Sequence, residues 1–149
     1  MKAVVVFASL TGNNLEIAEF ISKQLKAKKI NTDLREISQC DPFSLKNVDL
    51  IIIVSYTYAA GNLPLEALNF YEDLENTVLT NIVFGITGSG DSWYGNFGKA
   101  VLKFDREMAK TGALRGASPL LIDDKMTISD QNRLSAWLTK LIKICTNVN

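Results

Sequence analysis

Ala3-Val4-Val5-Val6-Phe7-Ala8, followed at once by Ser9-Leu10-Thr11-Gly12-Asn13-Asn14, is the stretch that decides the fold of this chain. An unbroken apolar, β-branched run reads as a strand buried on both faces, the habit of a parallel sheet. From Asn13 to about Lys28 the apolar residues Leu15, Ala18, Ile21 and Leu25 recur at helical spacing. A loop of hydroxyls, one Gly and two Asn therefore joins the first strand to the N-terminus of the first helix. Such a junction aims backbone N–H groups and the positive end of the helix dipole at one point, which suits a phosphate. The loop holds no Lys, so it is not the G-x-x-x-x-G-K-[ST] loop of triphosphate binders. The expected ligand is a phosphate monoester held by neutral donors. Ser, Thr or Asn ahead of a helix is also ordinary capping, and the loop alone does not separate the two readings.

Working outward, strand and helix signals alternate to the end of the chain. Strands are expected over 2–8, 31–37, 49–55 and 81–87, with a fifth within 114–122. Leu50-Ile51-Ile52-Ile53-Val54 reads as buried on both faces, whereas 31–37 alternates and lies nearer an edge. Helices are expected over 13–28, from Pro64 with Leu68, Tyr71 and Leu74 on one side, and around Phe97, Val101, Phe104 and Met108 up to Gly112. A last helix carries Leu134, Leu138, Leu141, Ile142 and Cys145, with Ser129 or Asp130 as its cap. Alternation of this kind means βαβ units: an α/β, doubly wound, five-stranded parallel sheet with helices on both faces. No linker, repeat or low-complexity stretch divides the chain, so residues 1–149 are read as one domain. In such a sheet the ligand sits beyond the carboxyl ends of the strands. Three loops fall there, over 9–14, 55–63 and 87–96.

Composition removes several function classes. The chain has no His, which takes away the usual general base, the commonest metal ligand and any Ser-His or Cys-His nucleophile pair. Cys40 and Cys145 lie far apart and form no C-x-x-C, so they read as reduced bystanders. Net charge is zero, which argues against nucleic acid as a partner. No apolar run is long enough to span a membrane. Met1-Lys2-Ala3-Val4 shows no signal-peptide pattern, so a cytoplasmic location is expected. The neutral total hides a pattern: from Lys46 to Lys99 there is no intervening Lys or Arg, while Asp49, Glu66, Glu72, Asp73, Glu75 and Asp91 fall between.

The second loop reads Ser55-Tyr56-Thr57-Tyr58-Ala59-Ala60-Gly61-Asn62-Leu63, and the third Thr87-Gly88-Ser89-Gly90-Asp91-Ser92-Trp93-Tyr94-Gly95-Asn96. Each sets aromatics among small residues. An aromatic in a Gly-flanked loop at a strand's carboxyl end faces a ligand more often than one on a strand or helix. Two such loops can sandwich a flat ring while backbone groups approach its edge. A planar heterocycle bearing a phosphate satisfies all three loops. Gly88-Ser89-Gly90 is not a dinucleotide fingerprint, since Trp93 stands at the third glycine position and the segment follows the fourth strand. Tyr56 is read as packing at a strand end. Of Trp93 and Tyr94, only one is expected to stack.

These motifs, in this order and register, resemble a short-chain flavodoxin over essentially the whole chain. Ser9-Leu10-Thr11-Gly12-Asn13-Asn14 is similar to that family's T-x-T-G-N-T phosphate loop, Thr57-Tyr58 to its T-W or T-Y, and Gly88-Ser89-Gly90-Asp91-Ser92-Trp93-Tyr94 to its G-S-G-D-x-x-Y. Phe97-Gly98-Lys99-Ala100-Val101 is similar to F-C-x-A-V, and 118–123 runs on without the insertion of long-chain members. The resemblance implies strand order 2-1-3-4-5 and a noncovalent FMN. It implies phosphate contacts from Ser9, Leu10, Thr11, Gly12, Asn13, Asn14 and Thr57. Ring contacts are implied for Tyr58, Ala59, Ala60, Gly61, Gly88, Ser89, Gly90, Asp91, Trp93 and Tyr94, with Tyr58 over one face and Tyr94 over the other. The implied function is electron transfer: single electrons carried at low potential, as a monomer, between a flavodoxin/ferredoxin-NADP reductase-type donor and acceptor enzymes. Docking is expected near the acidic 47–98 region. Two relatives of the same fold stand as alternatives, an activator of a manganese ribonucleotide reductase and a quinone reductase.

The chain also departs from the pattern. Ala59-Ala60 stands where the family commonly has Gly-Asp, at the peptide whose carbonyl turns toward the flavin on reduction. Gly accepts the φ > 0 such a turn requires and Ala resists it, so that turn is expected to cost about 1 kcal/mol more here. Asn62 and Leu65 replace acids, and Asn14 replaces the final Thr of the phosphate loop.

Overall fold

The computed structural model describes residues 1–92 and 97–148. Its centre is β1 (Lys2–Phe7), flanked by β3 (Leu50–Val54) and β2 (Asn31–Glu36), with β4 (Val83–Gly90) beyond β3. Two further segments, β5 (Leu114–Arg115) and β6 (Leu120–Asp123), both pair with β4. Among the described residues every pairing between these strands is parallel, and the order is β2-β1-β3-β4-β5. The expected 2-1-3-4-5 sheet is thus present, with its fifth strand broken in two. Three steps along β4, from Phe84 to Thr87, are matched by five from Arg115 to Leu120. The chain leaves the sheet at Gly116, where a Cβ would sit 2.6 Å from Val83 and 2.7 Å from Leu141. The Trp137 indole N–H donates to the Ser118 carbonyl at 2.8 Å and satisfies part of the bulge.

Alternation along the strands sorts their side chains into two cores. On one face Val4, Val6, Ile51, Ile53, Phe84 and Ile86 pack against α2 (Leu68–Leu74) and α3 (Lys99–Lys110). On the other, Ala3, Val5, Leu50, Ile52, Val54 and Val83 pack against α1 (Asn13–Ala27) and α4 (Ile128–Val148). Each fully buried Leu, Ile or Phe contributes roughly 2 kcal/mol of transfer free energy. The apolar runs of β1 and β3 are therefore reason enough for the sheet's centre. On α3, Phe104 meets Tyr71 edge-on at 5.5 Å between centroids and Phe70 at 6.4 Å.

Several local readings shift. The buried stripe of α1 is Asn14, Ile17, Ala18, Ile21, Ser22 and Leu25, and Leu15 is only half-buried. Pro64 precedes a 3-10 turn over Leu65–Ala67 before α2 begins, and α2 buries Phe70 and Leu74 while Leu68 is exposed. β4 runs three residues past the expected Thr87, so Gly88, Ser89 and Gly90 are strand and not loop. The cap of α4 is Thr127: its hydroxyl accepts the Asp130 N–H at 3.2 Å while the Asp130 carboxylate accepts the Thr127 N–H at 2.9 Å, a reciprocal capping box. Asp130 is the third helical residue rather than the cap. Among the described residues no helix is long and apolar enough to cross a membrane.

Candidate functional site

The carboxyl ends of β1, β3, β4 and β6 meet at one edge of the sheet. After β1, Ser9 turns its hydroxyl back to accept the Gly12 N–H at 3.1 Å, closing the loop. Leu10 and Thr11 project outward, Leu10 at 70% exposure. Gly12 is left-handed at φ 96°, in open space, and precedes α1 without any side-chain cap. A helix start leaves its first N–H groups without partners inside the helix, and here no hydroxyl or carboxylate among the described residues covers them. Thr11 and the first turn at Asn13 and Asn14 therefore present donors and the positive helix end to solvent, while the Gly12 N–H is held by Ser9. This geometry fits a phosphate, and among the described residues no side chain caps the helix in its place.

The two asparagines go elsewhere. The Asn13 amide donates to the Asp124 carboxylate at 3.4 Å. Asn14 is 3% exposed. Its carbonyl oxygen accepts the Ser89 N–H at 2.8 Å and its NH2 donates to the Ser89 carbonyl at 3.4 Å. Both amides are thus oriented by protein partners, while the backbone N–H groups of the two residues lie in the first turn of α1.

After β3, Ser55 is buried and Tyr56 packs on the α2–α3 core, its hydroxyl donating to Glu66 at 2.9 Å. Burial, then the Glu66 carboxylate, pushes the Tyr56 phenol far above its ordinary range. The expectation that Tyr56 packs and Tyr58 is presented fits this placement, for Tyr58 is 43% exposed. The Thr57 hydroxyl accepts the Ala100 N–H of α3 at 3.1 Å. The loop then closes on itself: Gly61 and Asn62 N–H both donate to the Tyr58 carbonyl at 3.2 Å, and the Tyr58 N–H donates to the Asn62 carbonyl at 2.8 Å. That closure holds Ala60 left-handed at φ 61° and Gly61 at φ 78°. Lys103 reaches across from α3 to donate to the Gly61 carbonyl at 3.1 Å. A shallow cavity of about 310 Å³ beside Tyr58 is lined by Asn62, Leu63, Leu65, Leu68 and Lys103.

β4 brings Gly88 against the end of β3, where a Cβ would lie 1.8 Å from the Ser55 carbonyl oxygen. Only Gly lets the strands pass at that distance. The Thr87 hydroxyl donates to Leu120 at 2.7 Å, the Asp124 N–H donates to the Gly90 carbonyl at 2.6 Å, and Ser89 donates its hydroxyl to the Asp124 carbonyl. Asp91 stands exposed at the strand's end. Ser92 donates its N–H and hydroxyl to Asp123 at 3.1 and 2.5 Å, and these bonds hold the Asp123 carboxyl below its ordinary pKa. Trp93 and Tyr94 lie outside the described residues.

The structure thus gathers Ser9, Leu10, Thr11, Gly12, Asn13, Asn14, Thr57, Tyr58, Ala60, Gly61, Gly88, Ser89, Gly90 and Asp91 around one sheet edge, with the Ala59 backbone in the second loop. Asp123, Asp124 and Lys103 join them without having been expected. The first two were legible by the same rule that found the loops, since Asp123-Asp124 closes the last strand at its carboxyl end. Lys103 had no such signal.

Comparison with known proteins agrees with this geometry. Residues 5–137 match the model of the family described as flavodoxin. Over 112 residues the chain is 34% identical to the probable flavodoxin 1 of Bacillus subtilis (strain 168), covering 75% of this chain and 71% of that one. A short-chain flavodoxin associated with a non-canonical PDU bacterial microcompartment superposes with a TM-score of 0.94 at 38% identity, over 97% of this chain and 99% of that one. The sulfite reductase [NADPH] flavoprotein alpha-component of Vibrio vulnificus (strain CMCP6) is 35% identical over 115 residues, 75% of this chain, which spans only 19% of that longer protein. The chain belongs to the flavodoxin family.

Proposed function

We propose that this chain is an electron carrier that binds FMN noncovalently at the sheet edge and moves single electrons at low potential between a reductase and acceptor enzymes. The observation that carries the reading is the uncapped start of α1, with Gly12 left-handed and its first-turn N–H groups unclaimed, set beside the exposed ring of Tyr58 and the end of β4. The Ser9, Thr11 and Thr57 hydroxyls and the N–H groups of Thr11, Asn13 and Asn14 would hold the phosphate. Tyr58 would cover one face of the ring system, and the backbone of Gly88 to Asp91 would meet its polar edge. The flavin supplies the redox chemistry. The protein's part is to orient it, exclude water and set the local field.

The donor is proposed to be of the flavodoxin/ferredoxin-NADP reductase type, acting in the cytoplasm on a single FMN-binding domain over residues 1–149. Exposed Leu65 and Leu68 lie beside the Tyr58 cavity, and Glu66, Glu72, Asp73 and Glu75 follow in the same segment. An apolar patch with an acidic rim suits a basic partner face. The deciding experiment is a visible spectrum of the purified protein during stepwise reduction. A bound-flavin spectrum that changes in two separable one-electron stages supports the proposal. Absence of bound flavin after incubation with FMN, or reduction in one two-electron stage at every potential, refutes it.

A further inference from the structure

The Asn14–Ser89 pair has a place in the sheet that explains its geometry. Along β4, odd-numbered residues point their N–H and C=O toward β3: Val83 donates to Asp49, and Thr87 accepts from Ser55. Even-numbered residues point toward β5 and β6: Phe84 accepts from Gly116, and Gly90 accepts from Asp124. β3 ends at Val54, opposite Thr87. Ser89 is the next odd residue, 5% exposed, paired with β6 on one side but with no strand beside it on the β3 side. A buried N–H and C=O left open there would each cost free energy. The Asn14 amide meets both, donor to acceptor and acceptor to donor. One side chain, 75 residues away in sequence, replaces the missing rung of the ladder.

We infer that Asn14 is a positioning residue: it extends the sheet by one rung and thereby fixes the Ser89–Asp91 backbone to the phosphate-binding end of α1. This inference rests on the FMN reading above. Its content is that Asn14 acts on the ring-edge half of the site and not on the phosphate. With its carbonyl oxygen and one of its two amide N–H groups committed to Ser89, and the side chain buried, the amide is oriented by the strand rather than by an anion. Asn13 and Asp124 reinforce the same junction, since Asp124 is held by Asn13, by the Ser89 hydroxyl and by Gly90.

The test compares FMN with riboflavin, which lacks the phosphate. In Asn14→Ala the affinities for both flavins should fall together, by about tenfold, the scale of an opened buried hydrogen-bond pair. Asn14→Thr, which offers a hydroxyl to the phosphate, should still lose riboflavin affinity. Circular dichroism establishes that the apoprotein is folded in each case. A second readout needs no flavin: amide hydrogen exchange of Ser89 should be slow in the wild-type apoprotein. In the variants it should quicken by at least about tenfold while Val83 stays protected. Should Asn14→Ala fail to fold, Asn14→Asp keeps the acceptor and removes the donor; because its charge repels a phosphate, it is read by riboflavin affinity and Ser89 exchange alone, which should fall and quicken respectively. Loss of FMN affinity with riboflavin unchanged would make Asn14 a phosphate ligand and overturn the inference. So would unaltered Ser89 exchange. If the wild-type protein bound neither flavin while Ser89 exchange behaved as expected, the cofactor reading alone would fall and the structural rung would stand.

Discussion

The hydroxyl oxygen of Thr57 accepts the backbone N–H of Ala100, 43 residues away, at 3.1 Å. Gly98, at the head of α3, has no side chain to cap it, and a residue from the second loop does so instead. The Thr57 O–H proton is still available to a phosphate oxygen. Thr57→Ala should therefore destabilise the apoprotein by about 1 kcal/mol, the worth of an N-cap, and weaken FMN binding in addition. Thr57→Ser should restore most of both. Urea denaturation of the apoprotein and fluorescence titration with FMN separate the two effects.

Ala60 holds φ 61° without being Gly. A left-handed L-residue costs about 1–2 kcal/mol, and Gly returns about 0.4–1 kcal/mol of that through a freer unfolded chain. Ala60→Gly should accordingly stabilise the apoprotein by about 0.5 kcal/mol, read as a raised urea midpoint. The strained residue is Ala60, one position beyond the peptide that the sequence had singled out. Ala59→Gly should act on redox behaviour instead, raising the share of one-electron-reduced flavin in a reductive titration. An unchanged share removes the argument that Ala59 hinders the peptide turn.

At Gly88 the approach to Ser55 leaves no room for a Cβ. Gly88→Ala must push β3 and β4 apart at the edge of the site, a loss of more than about 3 kcal/mol. A melting temperature within a few degrees of wild type would show that the strands give way cheaply.

Cys40 and Cys145 are both buried and unpaired. Burial, with Asp49 adding to it, raises the Cys145 thiol from 9.0 to about 11. Burial also raises Cys40, against a hydrogen bond with Arg35. Neither thiol should react with a disulfide reagent at pH 8 until the protein is denatured, when both should titrate. A thiol whose folded pKa is raised favours the folded state fully below its unfolded value. The Cys145 contribution is therefore present up to about pH 9 and lost as pH climbs through about 11. Denaturation midpoints of wild type and Cys145→Ala should converge over that window.

If the acidic segment guides docking, reduction by a ferredoxin-NADP reductase should slow several-fold between about 0.05 and 0.5 M salt as the charges are screened. A flat response assigns Glu72, Asp73 and Glu75 to solvation of their own helix.

The sheet was legible because its central strands are unbroken apolar runs, and the alternation with helical periods leaves few topologies. What was not legible depends on contacts distant in sequence. Gly88-Ser89-Gly90 has little strand propensity and reads as a loop; β6 and Asn14 make it strand. Thr127 lost to Ser129 and Asp130 as the expected cap because all three are capping types, and only the reciprocal bonds decide. Composition singled out a loop suited to phosphate, yet it is silent on where the two Asn amides and the Thr57 hydroxyl turn. Those destinations lie 111, 75 and 43 residues away.

The break between β5 and β6 has a consequence for how molecules of this chain meet one another. A sheet invites another copy wherever a long row of N–H and C=O groups stands open. On the β5–β6 side that row is interrupted after Arg115 by the bulge over 116–119, which includes Pro119. On the opposite side β2 sets Asp33 and Arg35 along its length, ion-paired at 3.2 Å. The irregularity that splits the fifth strand thus denies a second copy a straight template on that border, while on the β2 border charged side chains make the addition of a strand less favourable.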